Sequence, residues 1–275
     1  MHPHNHWYGG GHVLLTHALG KRRWTVPSIA GHLQHEWDIA QVCEGDRALN
    51  PSLTAYLWSS GSRRRRAATG LRNHVVIGAP WLYLRDLDPK LLTLELSAAD
   101  ELKIAMGGTD PRPKAPTPPT GDLVLFAEHG LDGEFAARRL AAQVREQEDG
   151  AVTVALSHRD FAVPAVRAVY REAGFTAHDL GPLPDASGTP QPRYLDRLQQ
   201  LLTGHRRAGA NAARSELLYA ADLDLPVRVF GTVPPALRPL TAPADAAAFA
   251  ADELGREFLL SPAELKDVLE WSGRV

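Results

Sequence analysis

The sequence predicts an α/β fold with two Rossmann-like lobes of the GT-B type, each built on a parallel sheet, and C-terminal helices that close the structure. Three observations support this prediction. Strand and helix patterns alternate throughout the second half of the chain, which indicates a parallel sheet with right-handed crossovers. A proline-rich stretch, residues 107–121, separates that half from a first half in which the alternation is weaker. Ser261 and Glu264 form a capping box with Pro262 at the first helical position, so a helix begins near the C-terminus.

Composition places the chain among ordinary globular proteins. It has 275 residues, of which 44% are apolar and 23% charged. Its 30 basic and 32 acidic residues give a formal net charge of −2, which excludes a general attraction to nucleic acid. A single cysteine, Cys43, excludes an intramolecular disulfide and a thiolate metal cluster. Because no apolar run is long enough for a transmembrane helix or a signal peptide, we expect a cytoplasmic protein without an integral membrane segment.

The elements of the first half follow from apolar runs and the residues that interrupt them. An apolar stretch follows Gly10 and Gly11, three short apolar runs are typical of strands, and a basic segment ended by Gly70 is typical of a short helix. The last segment of this half, residues 91–106, fits either a helix or a mixture of helix and irregular structure. In chain order the predicted segments are residues 13–19, 28–34, 53–59, 63–69, 74–78 and 91–106.

A domain boundary is predicted at residues 107–121. This stretch contains five prolines in fifteen residues, so it cannot form a continuous backbone ladder and is typical of an extended linker. A short apolar run follows at once, as expected for a buried parallel strand. The predicted organisation is an N-terminal lobe at 1–106, a linker at 107–121, a C-terminal lobe at 122–240, and helices at 241–275 that pack back on the lobes.

The second half alternates five strand patterns with five helix patterns, several of which end at a glycine. The predicted strands are residues 122–127, 151–156, 175–180, 205–210 and 227–230. The predicted helices are residues 134–148, 164–173, 193–202, 215–222 and 245–258, with a terminal helix running from 262 to 271.

Polar residues that follow strands are the candidates for ligand binding, because ligands of open α/β sheets bind beyond the carboxyl ends of the strands. Glu128, His129 and Gly130 follow the first strand of the second half and lead into a helix, where backbone N–H groups can bind phosphate. An ordinary strand–helix turn is the alternative interpretation.

Two further groups follow later strands. His158 and Arg159 can neutralise a phosphate, although a solvated loop in which Arg159 pairs with Asp160 fits equally well. Asn211 and Ser215 precede and begin a helix, so they mark an anion site, and Ser215 is also a suitable N-cap.

In the first half, the densest polar and aromatic cluster comprises Gln34, His35, Glu36 and Trp37. His35 is a candidate general base, because histidine titrates near neutral pH and a carboxylate can orient it. Neighbouring residues on a strand face opposite sides, which argues against direct pairing of His35 with Glu36. A structural histidine in a loop is the alternative.

Two other motifs favour less specific interpretations. His2, His4, His6 and His12 have the alternate spacing that chelates transition metals, but a terminal segment usually binds such ions adventitiously, so no functional metal is predicted. The arginine run 63–66 lacks interleaved aromatic residues and is typical of a solvated helix face.

Several segments, taken in order along the chain, resemble bacterial glycosyltransferases of the GT-B type and are similar to the capsule polysialyltransferases and Kdo transferases. The resemblance covers roughly residues 5–235 and includes the turn from Pro226 through Gly231. The segments that carry it are residues 29–37, 55–58, 76–83, 157–161, 170–175 and 211–220.

This resemblance implies a nucleotide-sugar donor in the C-terminal lobe, a small-molecule or glycan acceptor in the N-terminal lobe, and His35 facing the cleft between them. It implies a metal-independent, inverting transfer to a hydroxyl group, with a CMP-linked acidic sugar favoured, no cofactor, and a possible homodimer. The matching donor-side positions are Glu128, His129, Gly130, His158, Arg159, Asn211 and Ser215. The acceptor-side positions are His12, Gln34, Glu36 and Trp37.

Two other functions remain open at the level of sequence. A non-catalytic protein that binds a nucleotide or a sugar can use the same fold, because fold does not determine function. A nucleotide-sugar epimerase of the GT-B type needs a pair of carboxylates in the cleft, and the sequence points to Glu128 alone.

Overall fold

The structure is a computed structural model. It describes residues 5, 8–20, 26–37, 52–87, 105–106, 120–130, 132–181, 193–231, 233 and 235–272.

The first half of the chain forms a three-stranded parallel sheet with the order β1-β2-β3. A helix precedes the first strand, and one helix follows each of the other two. In chain order these elements are α1 (Gly10–Leu19), β1 (Gly31–Leu33), β2 (Thr54–Leu57), α2 (Ser60–Ala68), β3 (His74–Val76) and α3 (Pro80–Asp86).

The second half forms a five-stranded parallel sheet with the order β6-β5-β4-β7-β8. In chain order its elements are β4 (Gly121–Phe126), α4 (Gly133–Arg145), β5 (Val152–Leu156), α5 (His158–Ala162), α6 (Pro164–Glu172), β6 (Thr176–Asp179), α7 (Tyr194–Thr203), β7 (His205–Ala210), α8 (Ser215–Asp222) and β8 (Val227–Val229). Three helices close the chain: α9 (Arg238–Thr241), α10 (Pro243–Leu254) and α11 (Pro262–Val268).

The predicted α/β class with two parallel sheets is therefore confirmed. The apolar run of β4 is buried on both faces, as in parallel sheets that helices cover on each side. Four helices were not predicted: α3, α5 and α9 lie outside the predicted helices, and α1 was predicted only as an apolar stretch. Helix α3 begins at Pro80, an N1 position that favours a helix start. Helix α5 covers five residues that were interpreted as a loop, and Ser157 caps it by accepting the Asp160 N–H.

The two halves share one hydrophobic core. The largest buried cluster contains Trp58 and Trp81 from the first half together with Leu217 and Tyr219 of α8. The Trp81 and Tyr219 rings stack with centroids 4.5 Å apart. Because side chains of both halves pack in this one cluster, folding of one half depends on contacts with the other.

A buried carboxylate, Asp222, joins both halves within this core. Its side chain is 1% exposed and accepts a hydrogen bond from the Trp81 indole N–H at 3.0 Å. It also pairs with Arg85 at 3.0 Å and with Arg256. Asp222 thus connects α8, α3 and the C-terminal segment in one network.

The C-terminal helices contact both halves of the chain. Helix α10 packs on α8 and α2, and α11 packs on α1. Gly255 ends α10 with φ +75° and lies against Trp58, where an added Cβ would be 1.8 Å from the Trp58 carbonyl oxygen. Only glycine fits this close approach. The capping box at Ser261 and Glu264 is present as predicted.

The predicted linker falls largely outside the described residues, which resume at Thr120, and Gly121 already begins β4. The limits 1–106, 122–240 and 241–275 therefore stay a prediction. Of the segment 91–106, only residues 105–106 are described. None of the helices in the described part of the chain is long and apolar enough to cross a membrane.

Candidate functional site

The order of the second sheet creates a crevice at its centre. Counted within this sheet, the strands run 3-2-1-4-5, so the order reverses between β4 and β7, which are neighbours. In Rossmann-type sheets the chain leaves these two strands in opposite directions, and ligands bind at the crevice beyond their carboxyl ends. The segments that follow β4 and β7 are therefore the expected walls of a site.

A cleft of about 340 Å³ lies at this position. This volume is at the lower end of the range for small-molecule sites. Both halves contribute to its walls, since the segment after β1 faces the segments after β4, β5 and β7. The lining residues are Tyr8, His35, Glu36, Trp37, Ala127, Glu128, His129, Gly130, Ser157, Arg159, Asp160, Tyr194, Leu195, Leu198, Ala213, Arg214, Ser215, Glu216 and Tyr219.

Asn211 joins the two segments that flank the crevice. Its amide Nδ2 donates to the Glu128 carbonyl oxygen at 2.7 Å, and its Oδ1 accepts the Glu128 N–H at 2.9 Å. This reciprocal pair holds the end of β7 against the end of β4. Asn211 was predicted to contact the donor, but it is not among the residues that line the cleft, and its two hydrogen bonds position Glu128.

Arg159 projects from the first turn of α5 and lines the cleft. Its side chain is exposed, and it forms no ion pair with any residue that the structure describes. The alternative in which Arg159 pairs with Asp160 is thus not observed, because Asp160 bonds to His129 instead. Arg159 is available to an anionic ligand.

The His129 side chain is enclosed rather than open to a ligand. Its Nδ1 lies 3.0 Å from Asp160 Oδ2, and its Nε2 lies 2.6 Å from the Tyr170 hydroxyl. The imidazole is 0% exposed. Both ring nitrogens are therefore occupied within the protein, and a direct phosphate contact from this ring, as the sequence suggested, has no free nitrogen to use.

Helix α8 begins at the cleft with an ion pair. Arg214 donates to both oxygens of Glu216, at 3.1 and 2.9 Å. Burial acts to lower the pKa of Arg214, but the Glu216 charge and hydrogen bonds outweigh it and raise that pKa above its usual range. Arg214 thus stays charged, and Glu216 compensates most of that charge.

Ser215 connects the two halves. Its Oγ accepts the Trp37 backbone N–H at 2.7 Å, while the Trp37 indole N–H donates to Glu253 at 2.6 Å. The N-cap of α8 is Arg214, not Ser215, and no side chain caps this helix. The expected N-cap role of Ser215 is therefore wrong, because α8 begins one residue earlier than an N-cap at Ser215 requires.

His35 and Glu36 lie on the wall formed by the first half. His35 Nε2 is 3.7 Å from Glu36 Oε1, and its side chain is 5% exposed. The argument against direct pairing is wrong, because β1 ends at Leu33 and strand alternation no longer applies at these positions. Tyr8 stacks on His35 at 5.9 Å between centroids, and its hydroxyl donates to Glu36 Oε2 at 3.5 Å.

Two buried tyrosines, Tyr194 and Tyr219, also line the cleft. Burial, with the Glu216 charge adding to it, raises the pKa of both Tyr194 and Tyr219. Both phenols therefore stay protonated and can act as hydrogen-bond donors. Tyr194 also makes an edge-on contact with Tyr8, with ring centroids 4.9 Å apart.

Besides Asn211, three predicted site residues are not among those that line the cleft. His12 is 1% exposed, within helix α1. Gln34 is buried, where its Oε1 accepts the Trp58 N–H at 2.9 Å and its Nε2 donates to the Glu36 carbonyl at 3.0 Å. His158 pairs with Asp179 at 2.8 Å outside the cleft. For these positions a side-chain contact with a ligand in the cleft has no geometric support.

The structure adds residues that the sequence did not identify. Tyr8, Asp160, Tyr194 and Glu216 line the cleft, and four carboxylates surround it: Glu36, Glu128, Asp160 and Glu216. The expectation that Glu128 is the only cleft carboxylate is wrong, because carboxylates from three other segments converge there. Asp160 and Glu216 are adjacent to the predicted residues Arg159 and Ser215, so their place at the start of the helices that follow β5 and β7 was the available signal.

The structure bears differently on the N-terminal histidines and on the arginine run 63–66. His2, His4 and His6 lie outside the described residues, and within those residues no group of three His, Cys, Asp or Glu is arranged to hold a metal ion. The arginine run is only partly solvated. Arg63 and Arg64 are exposed, but Arg65 pairs with Glu253 at 2.7 Å and Arg66 is 2% exposed.

Comparisons with known proteins give little further information. No family model matches this chain, and no curated protein matches it. Among solved structures, it is similar to the UDP-GlcNAc 2-epimerase from Neisseria meningitidis, solved bound to UDP-GlcNAc, with a TM-score of 0.44 and 9% identity. The match covers 89% of this chain and 68% of that chain. Since this likeness is weak, conclusions about activity depend on the cleft.

Proposed function

We propose that this protein binds a nucleotide-activated sugar in the cleft and transfers the sugar to a hydroxyl acceptor. One observation carries the proposal. The cleft lies where the strand order reverses in the five-stranded Rossmann-type sheet, and the segment that follows β1 of the three-stranded sheet forms its opposite wall. A site with this position binds nucleotides through one sheet and leaves the other wall for a second substrate.

The charges of the cleft favour a ligand with a single phosphate group. Arg159 is the one lining cation without a carboxylate partner among the described residues, since Arg214 is paired with Glu216. The positive end of helix α8 lies at the same wall and adds to the attraction. A CMP-linked acidic sugar has one phosphate between nucleoside and sugar, so it places one negative charge at Arg159, where a diphosphate places two.

The reaction requires a base on one side and stabilisation of the leaving phosphate on the other. His35, oriented by Glu36, removes the proton of the acceptor hydroxyl as the new glycosidic bond forms. The bond from the sugar to the phosphate breaks, and Arg159 with the start of α8 stabilises the charge that develops on that phosphate. Attack from the face opposite the leaving phosphate inverts the anomeric carbon. This assignment needs no metal ion or cofactor.

Membership of the GT-B glycosyltransferases related to capsule polysialyltransferases and Kdo transferases is part of the same proposal. The donor-side residues are then Glu128, Gly130, Arg159 and Ser215, with His129 and Asn211 acting through their neighbours. The acceptor is a small molecule or a glycan that approaches Glu36 and Trp37. A homodimer is compatible with this arrangement.

An epimerase is the second candidate, and the four cleft carboxylates favour it. Such an enzyme uses acid and base groups on opposite faces of the sugar to invert one carbon, with no acceptor. Incubation with a nucleotide sugar in the absence of an acceptor separates the two. Epimerised nucleotide sugar contradicts a transferase, and acceptor-dependent release of the nucleotide supports it. A protein that binds but does neither is a non-catalytic binder.

The binding half of the proposal is tested by thermal unfolding with CMP, UDP, GDP and dTDP. A ligand at a hundredfold excess over its Kd stabilises the native state by about 2.7 kcal/mol, so we expect Tm to rise by about 5 °C or more. Arg159→Ala should weaken the binding of that nucleotide by about tenfold or more. Arg139→Ala, an exposed arginine on α4, is the matched control. If none of the four nucleotides raises Tm, the proposal is wrong.

A further inference from the structure

Asp160 forms part of the cleft wall and is held there from two sides. Its side chain is 21% exposed and lines the cleft. The Oδ2 atom lies 3.0 Å from His129 Nδ1, and the Asp160 backbone N–H donates to Ser157 Oγ at 3.1 Å. The carboxylate therefore has a defined orientation before any ligand binds.

A buried pair behind Asp160 maintains this orientation. A carboxylate oxygen only accepts, so His129 Nδ1 carries the proton in this contact. The other ring nitrogen, Nε2, lies 2.6 Å from the Tyr170 hydroxyl. Burial, with the Asp160 charge adding to it, raises the pKa of Tyr170, so the phenol keeps its proton and donates to Nε2. The two hydrogen bonds therefore run in the same direction: Tyr170 donates to His129, and His129 donates to Asp160 at the cleft.

The second oxygen of Asp160 has no such partner. Within the described part of the chain, no hydrogen-bond donor reaches Oδ1, and the neighbouring Arg159 does not pair with the carboxylate. Asp160, with the His129 imidazole and the Tyr170 phenol behind it, therefore presents the Oδ1 atom to the cleft as a hydrogen-bond acceptor. This acceptor repels phosphate and attracts a hydroxyl donor.

We infer that Asp160 determines specificity by accepting a hydrogen bond from a ligand hydroxyl, and that His129 and Tyr170 are positioning residues for it. The inference rests on the proposed function. Because Arg159 and Asp160 line the same cleft, a ligand whose phosphate lies at Arg159 can present a hydroxyl of a group linked to that phosphate to Asp160. Both the ribose and the transferred sugar carry such hydroxyls, and the experiment distinguishes them.

The test compares wild type with Asp160→Asn by isothermal titration calorimetry. In this variant the His129 N–H still has an amide oxygen to bond, so the side chain turns its NH₂ group toward the cleft and replaces an acceptor by a donor. The nucleotides are CMP, UDP and GDP. The nucleotide sugars are CMP-N-acetylneuraminic acid, UDP-GlcNAc and GDP-mannose. We expect a loss of affinity of about tenfold to a hundredfold for the best ligand.

The two sources of the hydroxyl give different results. If Asp160 binds the ribose, the free nucleotide and the nucleotide sugar lose affinity by the same factor. If it binds the transferred sugar, only the nucleotide sugar loses affinity. Tyr170→Phe should produce the same pattern with a smaller loss, about threefold to tenfold, because Asp160 keeps its charge but His129 loses its second partner. This variant also tests the inference if Asp160→Asn does not fold.

Asp179→Asn is the matched control, since Asp179 forms the same carboxylate–imidazole contact with His158 outside the cleft. Unchanged affinity of Asp160→Asn for both ligand types would overturn the inference, as would an equal loss in Asp179→Asn. In those cases wild type still binds nucleotide and the proposed function stands. If wild type binds none of the probes, the proposed function fails and the role of Asp160 fails with it.

Discussion

His35 and Glu36 occupy one wall of the cleft, with His35 Nε2 3.7 Å from Glu36 Oε1 and the Tyr8 ring stacked on the imidazole. Tyr8 holds this position with φ +56°, in the left-handed region that residues with side chains seldom adopt. Backbone strain of this kind concentrates at functional sites. At the scale of single residues, neighbouring side chains thus hold His35 and Glu36 in place, and the role of each residue can be tested by a single substitution.

His35→Ala should lower turnover by about 10²–10⁴, the usual contribution of a general base, and leave nucleotide affinity unchanged. The reason is that Arg159 and α8 lie on the opposite wall. Steady-state turnover and calorimetric binding on the same folded sample check this. His158→Ala, a histidine outside the cleft, is the control. Near-full activity of His35→Ala would remove His35 from the mechanism.

At the scale of elements, helix α8 is joined to the first half through the Ser215 hydroxyl. Ser215→Ala leaves the buried Trp37 N–H without its acceptor, which should lower the free energy of unfolding by about 1–3 kcal/mol even without ligand. Urea denaturation measures the change. Ser60→Ala is the control, because Ser60 begins α2 and its hydroxyl makes no hydrogen bond with a described residue. An unchanged midpoint for Ser215→Ala would mean that the Trp37 contact does not stabilise the fold.

The start of strand β7 contains a buried histidine that should make stability depend on pH. His205 Nδ1 donates to the Leu201 carbonyl at 2.7 Å, and Nε2 accepts from Thr153 Oγ1 at 2.9 Å. Burial lowers the pKa of His205 below its usual 6.5, and the Leu201 hydrogen bond and Asp122 only partly offset this. Below pH 6.5 the unfolded chain therefore binds more protons than the native state.

The free energy of unfolding should accordingly be highest above pH 6.5 and fall as the pH drops below it. Burial also lowers the pKa of His17 and His178, so both contribute in the same direction. His205→Gln should make the free energy of unfolding depend less steeply on pH between pH 6.5 and the folded-state pKa of His205. Some dependence should remain, because His17 and His178 still titrate. Urea titrations across this range measure the slope. A His205→Gln slope as steep as that of wild type would contradict the assignment.

At the scale of the whole molecule, Asp222 binds side chains from both halves. Asp222→Ala should lower the free energy of unfolding by about 2–3 kcal/mol, less than for a fully buried pair, because Arg85 and Arg256 remain partly in water. The control is Asp252→Ala, an exposed carboxylate on α10. Equal midpoints for the two variants in denaturant would show that the network does not stabilise the molecule.

Because one core extends through both halves, the protein should unfold in a single transition despite its two sheets. Differential scanning calorimetry tests this by comparing the calorimetric with the van't Hoff enthalpy, which agree for a two-state process. Two separate transitions, or a calorimetric enthalpy well above the van't Hoff value, would show that the lobes fold independently.

The sequence determined the elements whose signals are local. Buried strands such as β4 and β5, the end of α6 before Gly174 and the capping box at Ser261 all follow from apolar runs and residues with restricted backbones. The alternation of strands and helices in the second half also predicted the parallel sheet of that half. Helices α3, α5 and α9 were missed because they are only seven, five and four residues long, too short to show helical periodicity.

The tertiary structure decided what each polar residue does. The sequence analysis placed four polar residues after strands: Arg159, His129, Asn211 and Ser215. The local sequence around such a residue is the same whether its side chain faces the cleft or bonds to another residue of the protein. In the fold, Arg159 is open to the cleft, while the other three bond to Asp160, Glu128 and Trp37. These partners are distant in the chain, so only the packing of the two sheets brings them together. Which residues face a ligand therefore depends on long-range contacts that local sequence does not encode.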